Sequence, residues 1–315
     1  MQGRRRAHNL PRMSARRFTL PLAKGTAAVA IVAVAGWLAW LSYIYLASEA
    51  VIERRYTLPS SLVHASIDPG AAERGKHWMT LGGCFGCHGD DLKGRLLKIH
   101  PDFALWSPNL RASAMTFSDG DFERAIRHGL TPDARPMWLM PSGTYTYMRD
   151  KDLEDVLAYI RAQPPSSAQR PRPVFDWQAR KAIIAGRLVP TSPKADEIPG
   201  PADEGPRYDG GRYLSSISCA QCHGGDLTGS GPAPDLNVIA KYNRSQFFLL
   251  LYRGQSTHGQ LPVMSPLAFK RFRNFHDYEV NAIYDYLVAR RTLTPWTKEQ
   301  RAQFDDNPAG KADKK

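Results

Sequence analysis

The sequence predicts an all-α protein, in which an N-terminal transmembrane helix is followed by two small helical domains joined by a proline-rich linker. Three observations predict it: an uncharged apolar run near the N-terminus, a cysteine pentapeptide that occurs twice, and matching apolar helix patterns after each copy. The predicted boundaries are a basic tail at 1–24, the membrane helix at 25–48, the first domain at 68–163, the linker at 164–205, the second domain at 206–292 and a C-terminal tail at 293–315.

The membrane helix is predicted from the run 25–48, whose 24 residues include no charged side chain. At about 1.5 Å per residue such a helix spans roughly 36 Å, enough for the hydrocarbon core of a bilayer. Small residues around Ala47 leave a cleaved signal peptide as the alternative. Because the apolar part of a signal peptide usually has only about 7–15 residues, we expect an uncleaved anchor. Aromatic residues favoured at membrane interfaces gather near its far end: Trp37, Trp40, Tyr43 and Tyr45.

The net charge of +12 is a signal of membrane topology. Residues 1–24 hold seven positive charges and no acidic residue. Basic residues beside a membrane helix stay on the cytoplasmic side, so the tail predicts a single-pass protein of the bacterial inner membrane. Its N-terminus would be cytoplasmic and both domains periplasmic. The remaining chain is only weakly basic, and we expect no nucleic-acid binding.

The pentapeptide Cys-x-x-Cys-His occurs at 84–88 and again at 219–223, and the two copies use every cysteine of the chain. This spacing suits covalent attachment of haem c, in which two thiols add to the porphyrin vinyl groups and the adjacent imidazole ligates the iron. A zinc site or a redox dithiol is the alternative, but neither explains the histidine after both pairs. The sequence therefore predicts two covalently attached haem c groups, held by Cys84, Cys87, His88, Cys219, Cys222 and His223.

The repeat extends beyond the pentapeptides. Gly75 and Gly210 each lie nine residues before the first cysteine, and each is followed three residues later by an aromatic residue. A glycine at this place would let a second helix cross closely. Candidate partner helices follow in both halves, with Asp150 and Asp277 as expected N-caps three residues before each apolar stripe. The stripes are Leu153, Val156, Leu157 and Ile160 in the first half and Val280, Ile283, Tyr284 and Leu287 in the second.

The ligand on the other face of each iron would decide what the protein does. Methionine gives an electron carrier, whereas an empty position permits catalysis. We choose Met140, which Pro141 follows, with Met137 as the alternative in the first half; Met264 is the candidate in the second. An aromatic residue stands five positions after both candidates. A methionine can also be mere core filler, and three histidines could compete: His100, His128 and His258.

Two prolines are candidates for orienting the haem-ligating histidines. Pro108 lies in the segment SPNL of the first half, and Pro234 lies in APDL of the second. A carbonyl at this place could accept the imidazole N–H and so fix the tautomer and orientation of the ring. Because proline has a fixed φ and no amide N–H, it would hold that carbonyl in place.

With these motifs in order, each half resembles a class I cytochrome c domain. The string from SPNL through FSDGDFERAIRHGL to MPSGTYTYMRDKDLEDVLAYI is similar to the cytochrome subunits of alcohol and aldehyde dehydrogenases. Those subunits usually carry three haem domains, whereas this chain has two. The resemblance implies the axial pairs His88 with Met140 and His223 with Met264.

The predicted function is therefore electron relay from a periplasmic or membrane dehydrogenase, or another donor, to a cytochrome, an oxidase or another respiratory acceptor. The chain would then be an electron-transfer protein, or the electron-transfer component of a larger complex, and not itself an enzyme. The alternative is a dihaem redox enzyme, either a peroxidase or a sulfur-compound dehydrogenase. Such an enzyme would need at least one haem that is open or lacks a methionine ligand.

Overall fold

The computed structural model describes residues 19–100, 103–191, 198–231 and 233–293. Most of the predicted basic tail and all but the first residue of the predicted C-terminal tail lie outside the described residues. The described chain is mostly helical, and its helices are α1 Thr19–Ile52, α2 Ala71–Gly82, α3 Cys84–His88, α4 Leu110–Ser113, α5 Asp119–Glu123, α6 Ser142–Tyr145, α7 Asp150–Arg161, α8 Trp177–Ile184, α9 Asp209–Ser218, α10 Ala220–His223, α11 Arg244–Arg253, α12 Met264–Lys270 and α13 Asp277–Leu293. A π-helical turn, Arg124–His128, continues α5, and 3-10 turns form at Pro206–Tyr208, Leu236–Lys241 and Phe272–Asn274.

Two short antiparallel hairpins depart from the predicted all-α class. The first joins β1 Leu96–His100 to β2 Phe103–Trp106, and the second joins β3 Gln255–Ser256 to β4 Gly259–Gln260. Along β2 the side chains alternate between buried and more exposed positions, the period that a half-buried strand requires. The first hairpin therefore has an apolar face, which packs beside the end of α1.

In the first half of the chain, α2 crosses α7 at Gly75, as the sequence predicts. A Cβ atom at Gly75 would lie 1.9 Å from the carbonyl oxygen of Asp155, so only glycine fits at this crossing. In the second half of the chain, α9 crosses α13 at Gly211, where a Cβ atom would lie 2.0 Å from the carbonyl oxygen of Ala282. The prediction of Gly210 is wrong, because open space surrounds its Cβ position.

The error at Gly210 has a simple geometric cause. In the first copy Gly83, with φ of +78°, stands between the end of α2 and the first cysteine. In the second copy α9 ends at Ser218, directly before Cys219. Counting back from the cysteines therefore misaligns the two helices by one residue.

Asp150 and Asp277 are the first residues of their helices and do not act as N-caps. The N-cap of α7 is Arg149, which makes no side-chain capping bond. At α13 the carboxylate of Glu279 accepts the backbone N–H of His276 at 2.8 Å. Carboxylates in the first turn still stabilise both helices, because the N-terminal end of a helix carries a partial positive charge.

The two halves of the chain, each with its own pentapeptide, pack on each other through α2 and α9, and two equivalent contacts join them. His77, two residues after Gly75, lies 2.9 Å from the carboxylate of Glu279, the third residue of α13. Tyr213, two residues after Gly211, donates to Asp152, the third residue of α7, at 2.5 Å. The residues that precede the two helices stack on these rings: His276 on His77 at 4.8 Å and Arg149 on Tyr213 at 4.1 Å.

In each half, a residue of the helix before the pentapeptide contacts the C-terminal helix of the other half. Such reciprocal contacts are typical of an interface between two similar subunits. Each apolar core also takes side chains from the other half. Tyr213 and Ile217 of α9 belong to the cluster around α7, and Leu81 of α2 belongs to the cluster around α13. The two haem motifs, which follow α2 and α9 directly, are therefore brought to one interface.

The C-terminal end of α1 packs against α8 and the first hairpin. Its apolar portion, Gly25–Ile52, is 28 residues long with a mean hydropathy of 2.0, and most of its side chains are exposed. The predicted linker contributes α8, whose Trp177 packs edge-on against Trp40 at 5.5 Å. Arg180 of α8 pairs with Glu49 at 2.8 Å and donates to the hydroxyl of Ser48 at 2.8 Å. An apolar cluster completes this contact: Ile52, Phe103, Leu105, Trp138, Ala179 and Ile183.

Candidate haem attachment sites

Each pentapeptide forms a single helical turn. The first is α3, which begins after the left-handed Gly83, and the second is Cys219 with α10. The thiols are free, and burial raises the pKa of Cys84 to about 11 and that of Cys219 to about 12. The attacking cysteine of a redox dithiol needs a lowered thiol pKa, so burial disfavours that role for Cys84 and Cys219.

A zinc site is disfavoured on other grounds. Within the described ranges, which include all four cysteines, the structure gathers three candidate metal ligands at His77, His276 and Glu279, and this group contains no cysteine. At the equivalent positions of the other half, the corresponding contacts are made by Tyr213, Asp152 and Arg149, which include no imidazole. The arrangement therefore does not depend on metal-binding side chains. We therefore assign the His77 group to the domain interface.

The histidine of each pentapeptide lies against the proline that the sequence singles out. The Nδ1 atom of His88 is 3.1 Å from the carbonyl oxygen of Pro108, and that of His223 is 2.7 Å from the carbonyl oxygen of Pro234. With Nδ1–H donating to a carbonyl, Nε2 keeps the lone pair that a metal needs. Burial also lowers the pKa of both histidines, which outweighs the opposite effect of the carbonyls and favours the neutral imidazole.

A loop after each histidine repeats in detail, and the sequence reasoning missed it. Both copies place Gly, Asp, Leu and Gly at one, three, four and six residues after the histidine. Leu92 and Leu227 occupy these loops with φ of 57° and 65°, and both are fully buried. The last glycine N–H of each loop, at Gly94 and Gly229, donates to the carbonyl of its histidine at 2.8 Å. The signal was present in the sequence, since the four spacings are identical.

This loop holds the proline segment in place. A Cβ atom at Gly94 would lie 2.2 Å from the carbonyl oxygen of Ser107, the residue before Pro108. The buried leucines accept backbone N–H groups from the same segments, Leu92 from Leu110 at 2.8 Å and Leu227 from Leu236 at 3.0 Å. The orientation of each imidazole is thus set by backbone contacts that recur in both halves.

The two candidate methionines lie in the apolar clusters of their own motifs. Met140 packs against the cluster that Cys84 and Phe85 also contact, whereas Met137 lies outside it and its carbonyl accepts from Thr191 at 2.9 Å. Met264 packs against the cluster that Cys219 also contacts. Met264 is the first residue of the short helix α12.

The aromatic residues five positions after these methionines are not equivalent. Tyr145 is buried and donates to the carbonyl of Gly82 at 2.6 Å, next to the first pentapeptide. Phe269 is 56% exposed. The two aromatic residues therefore share a spacing but not an environment. The spacing no longer supports the view that Met140 and Met264 are equivalent positions of the repeat.

Comparison with known proteins agrees with this geometry. Residues 72–164 match the cytochrome c family, so this segment is a cytochrome c domain, which implies a covalently bound haem c and electron transfer.

Two curated proteins are similar to the chain at low identity. One is a component of the nicotinate dehydrogenase of Pseudomonas putida, 26% identical over 255 residues, which are 68% of this chain and 21% of that protein. The other is a diheme cytochrome c-type protein of Cereibacter sphaeroides, 26% identical over 171 residues, which are 49% of this chain and 57% of that protein. The chain thus spans about a fifth of the first relative and just over half of the second.

The described residues fit the haem that the cytochrome c domain implies. Cys84 and Cys87 lie on one helical turn, and the lowered pKa of the adjacent His88 favours the neutral imidazole, whose Nε2 could ligate a metal when Nδ1–H donates to Pro108. A thioether, Met140, packs against the same apolar cluster. The second half offers an equivalent donor set.

Proposed function

We propose that this chain is a membrane-tethered dihaem cytochrome c that relays electrons on the periplasmic side, from a dehydrogenase or other donor to a respiratory acceptor. One observation carries the proposal: the imidazole, proline carbonyl and left-handed leucine loop recur with the same contacts at 84–110 and 219–236. The family match covers only residues 72–164. The recurrence supports a second haem in the other half, and the diheme relative supports the same number.

In this proposal His88 with Met140 would hold the iron of one haem, and His223 with Met264 that of the other. Haems held in this way would supply one-electron chemistry and leave no open position for a substrate. The chain holds each imidazole by a proline carbonyl, which fixes the ring and increases its basicity toward the metal. Methionine ligation would close both irons, and this feature favours a relay over a peroxidase or another dihaem enzyme.

The membrane anchor is proposed to remain attached to the domains. Its last turns are packed against α8 and the first hairpin: Ser48 is fully buried, and Trp40 contacts Trp177. Cleavage near Ala47 would remove Trp40 and expose the apolar side of α8. The positive-inside rule then supports a cytoplasmic N-terminus and periplasmic domains. A tether of this kind raises the effective concentration of the haems at partners in the same membrane.

The identity of the donor rests on similarity. One relative is part of a nicotinate dehydrogenase, which supports a dehydrogenase as the partner that delivers electrons.

Ferric spectra and carbon monoxide binding test the relay against an enzyme. The purified full chain should show the weak far-red band of sulfur-to-iron ligation for both haems, and the reduced protein should bind carbon monoxide slowly at both. Rapid carbon monoxide binding by either haem of the native protein, or peroxide turnover at a catalytic rate, would contradict the proposed relay and favour a dihaem enzyme.

A further inference from the structure

A buried arginine lies between the two haem motifs and contacts both. Arg271 follows α12, and its side chain is only 6% exposed. Its Nε donates to the carbonyl of Leu81 at 2.5 Å, just before the first pentapeptide. Its Nη2 donates to the carbonyl of Ile217 at 3.3 Å, just before the second, and its Nη1 lies 3.5 Å from the side-chain oxygen of Gln221, inside the second. One guanidinium therefore bridges segments that are more than a hundred residues apart.

The guanidinium also lies against the backbone that leads into α3. A Cβ atom at Gly83 would lie 2.9 Å from Nη1 of Arg271, so a larger residue would displace the guanidinium, and the φ of +78° also favours glycine here. Gly83 is the extra residue of the first copy, and its left-handed φ of +78° ends α2. Gly83, the inserted residue that shifts the two repeats by one position, is thus the residue of the first half against which Arg271 of the second half packs.

The guanidinium of Arg271 forms its described hydrogen bonds with uncharged groups. The hydrogen-bond partners that the structure describes for it are two backbone carbonyls and one amide. The guanidinium of arginine carries a permanent positive charge in proteins. It acts on both motifs, because it lowers the pKa of Cys84 and of Cys219 against the larger, opposite effect of burial.

We propose that Arg271 is a positioning residue shared by the two haem sites, which ties the attachment turns together and raises the reduction potential of both haems. This inference rests on the proposed function, since it needs a haem in each half. Reduction adds one negative charge to a haem, and a fixed positive charge in a poorly solvated place favours that state. Arg271, a single side chain at the interface, would thereby raise the reduction potentials of both haems.

Redox titration of the full-length holoprotein tests this inference, with Arg271→Gln and Arg271→Lys against Arg273→Gln as the matched control. Arg273 lies two residues further on and is exposed. In Arg271→Gln the ratio of ferrous to ferric haem at a fixed ambient potential should fall by up to about tenfold at both haems, the order of one unit charge in a partly solvated site. In Arg271→Lys, which keeps the charge, both titration midpoints should stay near the native positions, as they should in Arg273→Gln.

Three results would overturn the inference: unchanged midpoints in Arg271→Gln, a fall at one haem only, or an equal fall in Arg271→Lys. The lysine variant gives an answer even if the glutamine variant does not fold, because a fall at both haems with the charge retained contradicts an electrostatic role. Haem content is measured on the same samples. Two haems with unmoved midpoints leave the proposed relay standing and reject the role of Arg271, whereas a single haem in the native protein rejects the proposed dihaem relay itself.

Discussion

Gly211→Ala is expected to destabilise the second domain by about 3 kcal/mol, whereas Gly210→Ala should leave its stability unchanged or raise it slightly. The new methyl group of Gly211→Ala would lie 2.0 Å from the carbonyl oxygen of Ala282, so α9 and α13 must move apart and lose contacts along their crossing. At Gly210 the methyl group meets open space, and alanine is favoured over glycine inside a helix by up to about 1 kcal/mol.

The measurement is denaturant unfolding of the full chain in detergent, with the two variants compared at the same haem content. The adjacent glycines differ only in the face of α9 that they occupy, so each controls for the other. Equal stability of both variants would contradict the close crossing at Gly211. Gly75→Ala provides the same test in the first domain, where the added methyl group would lie 1.9 Å from the carbonyl of Asp155.

Met140→Leu is expected to remove about half of the far-red sulfur-to-iron absorption and to open about half of the haem to carbon monoxide. Leucine keeps the volume of the side chain but has no sulfur lone pair, so the first iron would lose its sixth ligand. Its reduction potential should also fall, because the thioether favours ferrous iron. Both spectra are recorded on the purified full chain.

Met137→Leu is the matched control for this substitution. Met137 lies three residues from Met140, and its carbonyl accepts the N–H of Thr191. Met137→Leu should retain the whole band and bind carbon monoxide as slowly as the native protein. If Met137→Leu lost the band and Met140→Leu kept it, the assignment of the ligand would be reversed.

The sequence predicted best those features that depend on the local properties of a single residue type, such as the carbonyl of a proline or the missing side chain of a glycine. The proline carbonyls, the crossing glycine of the first domain and the apolar helices could be placed from spacing alone, because the geometry at those points is local. The structure puts His88 and His223 within hydrogen-bond distance of Pro108 and Pro234. The role of these contacts toward a haem is part of the proposal.

Longer-range features could not be predicted from spacing. The shift from Gly210 to Gly211 depends on the one-residue insertion at Gly83, which is invisible when the copies are aligned on their cysteines. The role of Arg271 could not be predicted from spacing, since its guanidinium contacts the carbonyl of Leu81, 190 residues away in the chain. The first hairpin was missed because its apolar face exists only in contact with α1 and α8.

The haem content of the full chain tests the central claim most directly. Intact mass together with the pyridine haemochrome spectrum should show two covalently attached haems per native chain, and one in a variant with Cys219 and Cys222 both replaced by serine. One haem in the native chain, or an unchanged count after the double replacement, would contradict the two-haem relay.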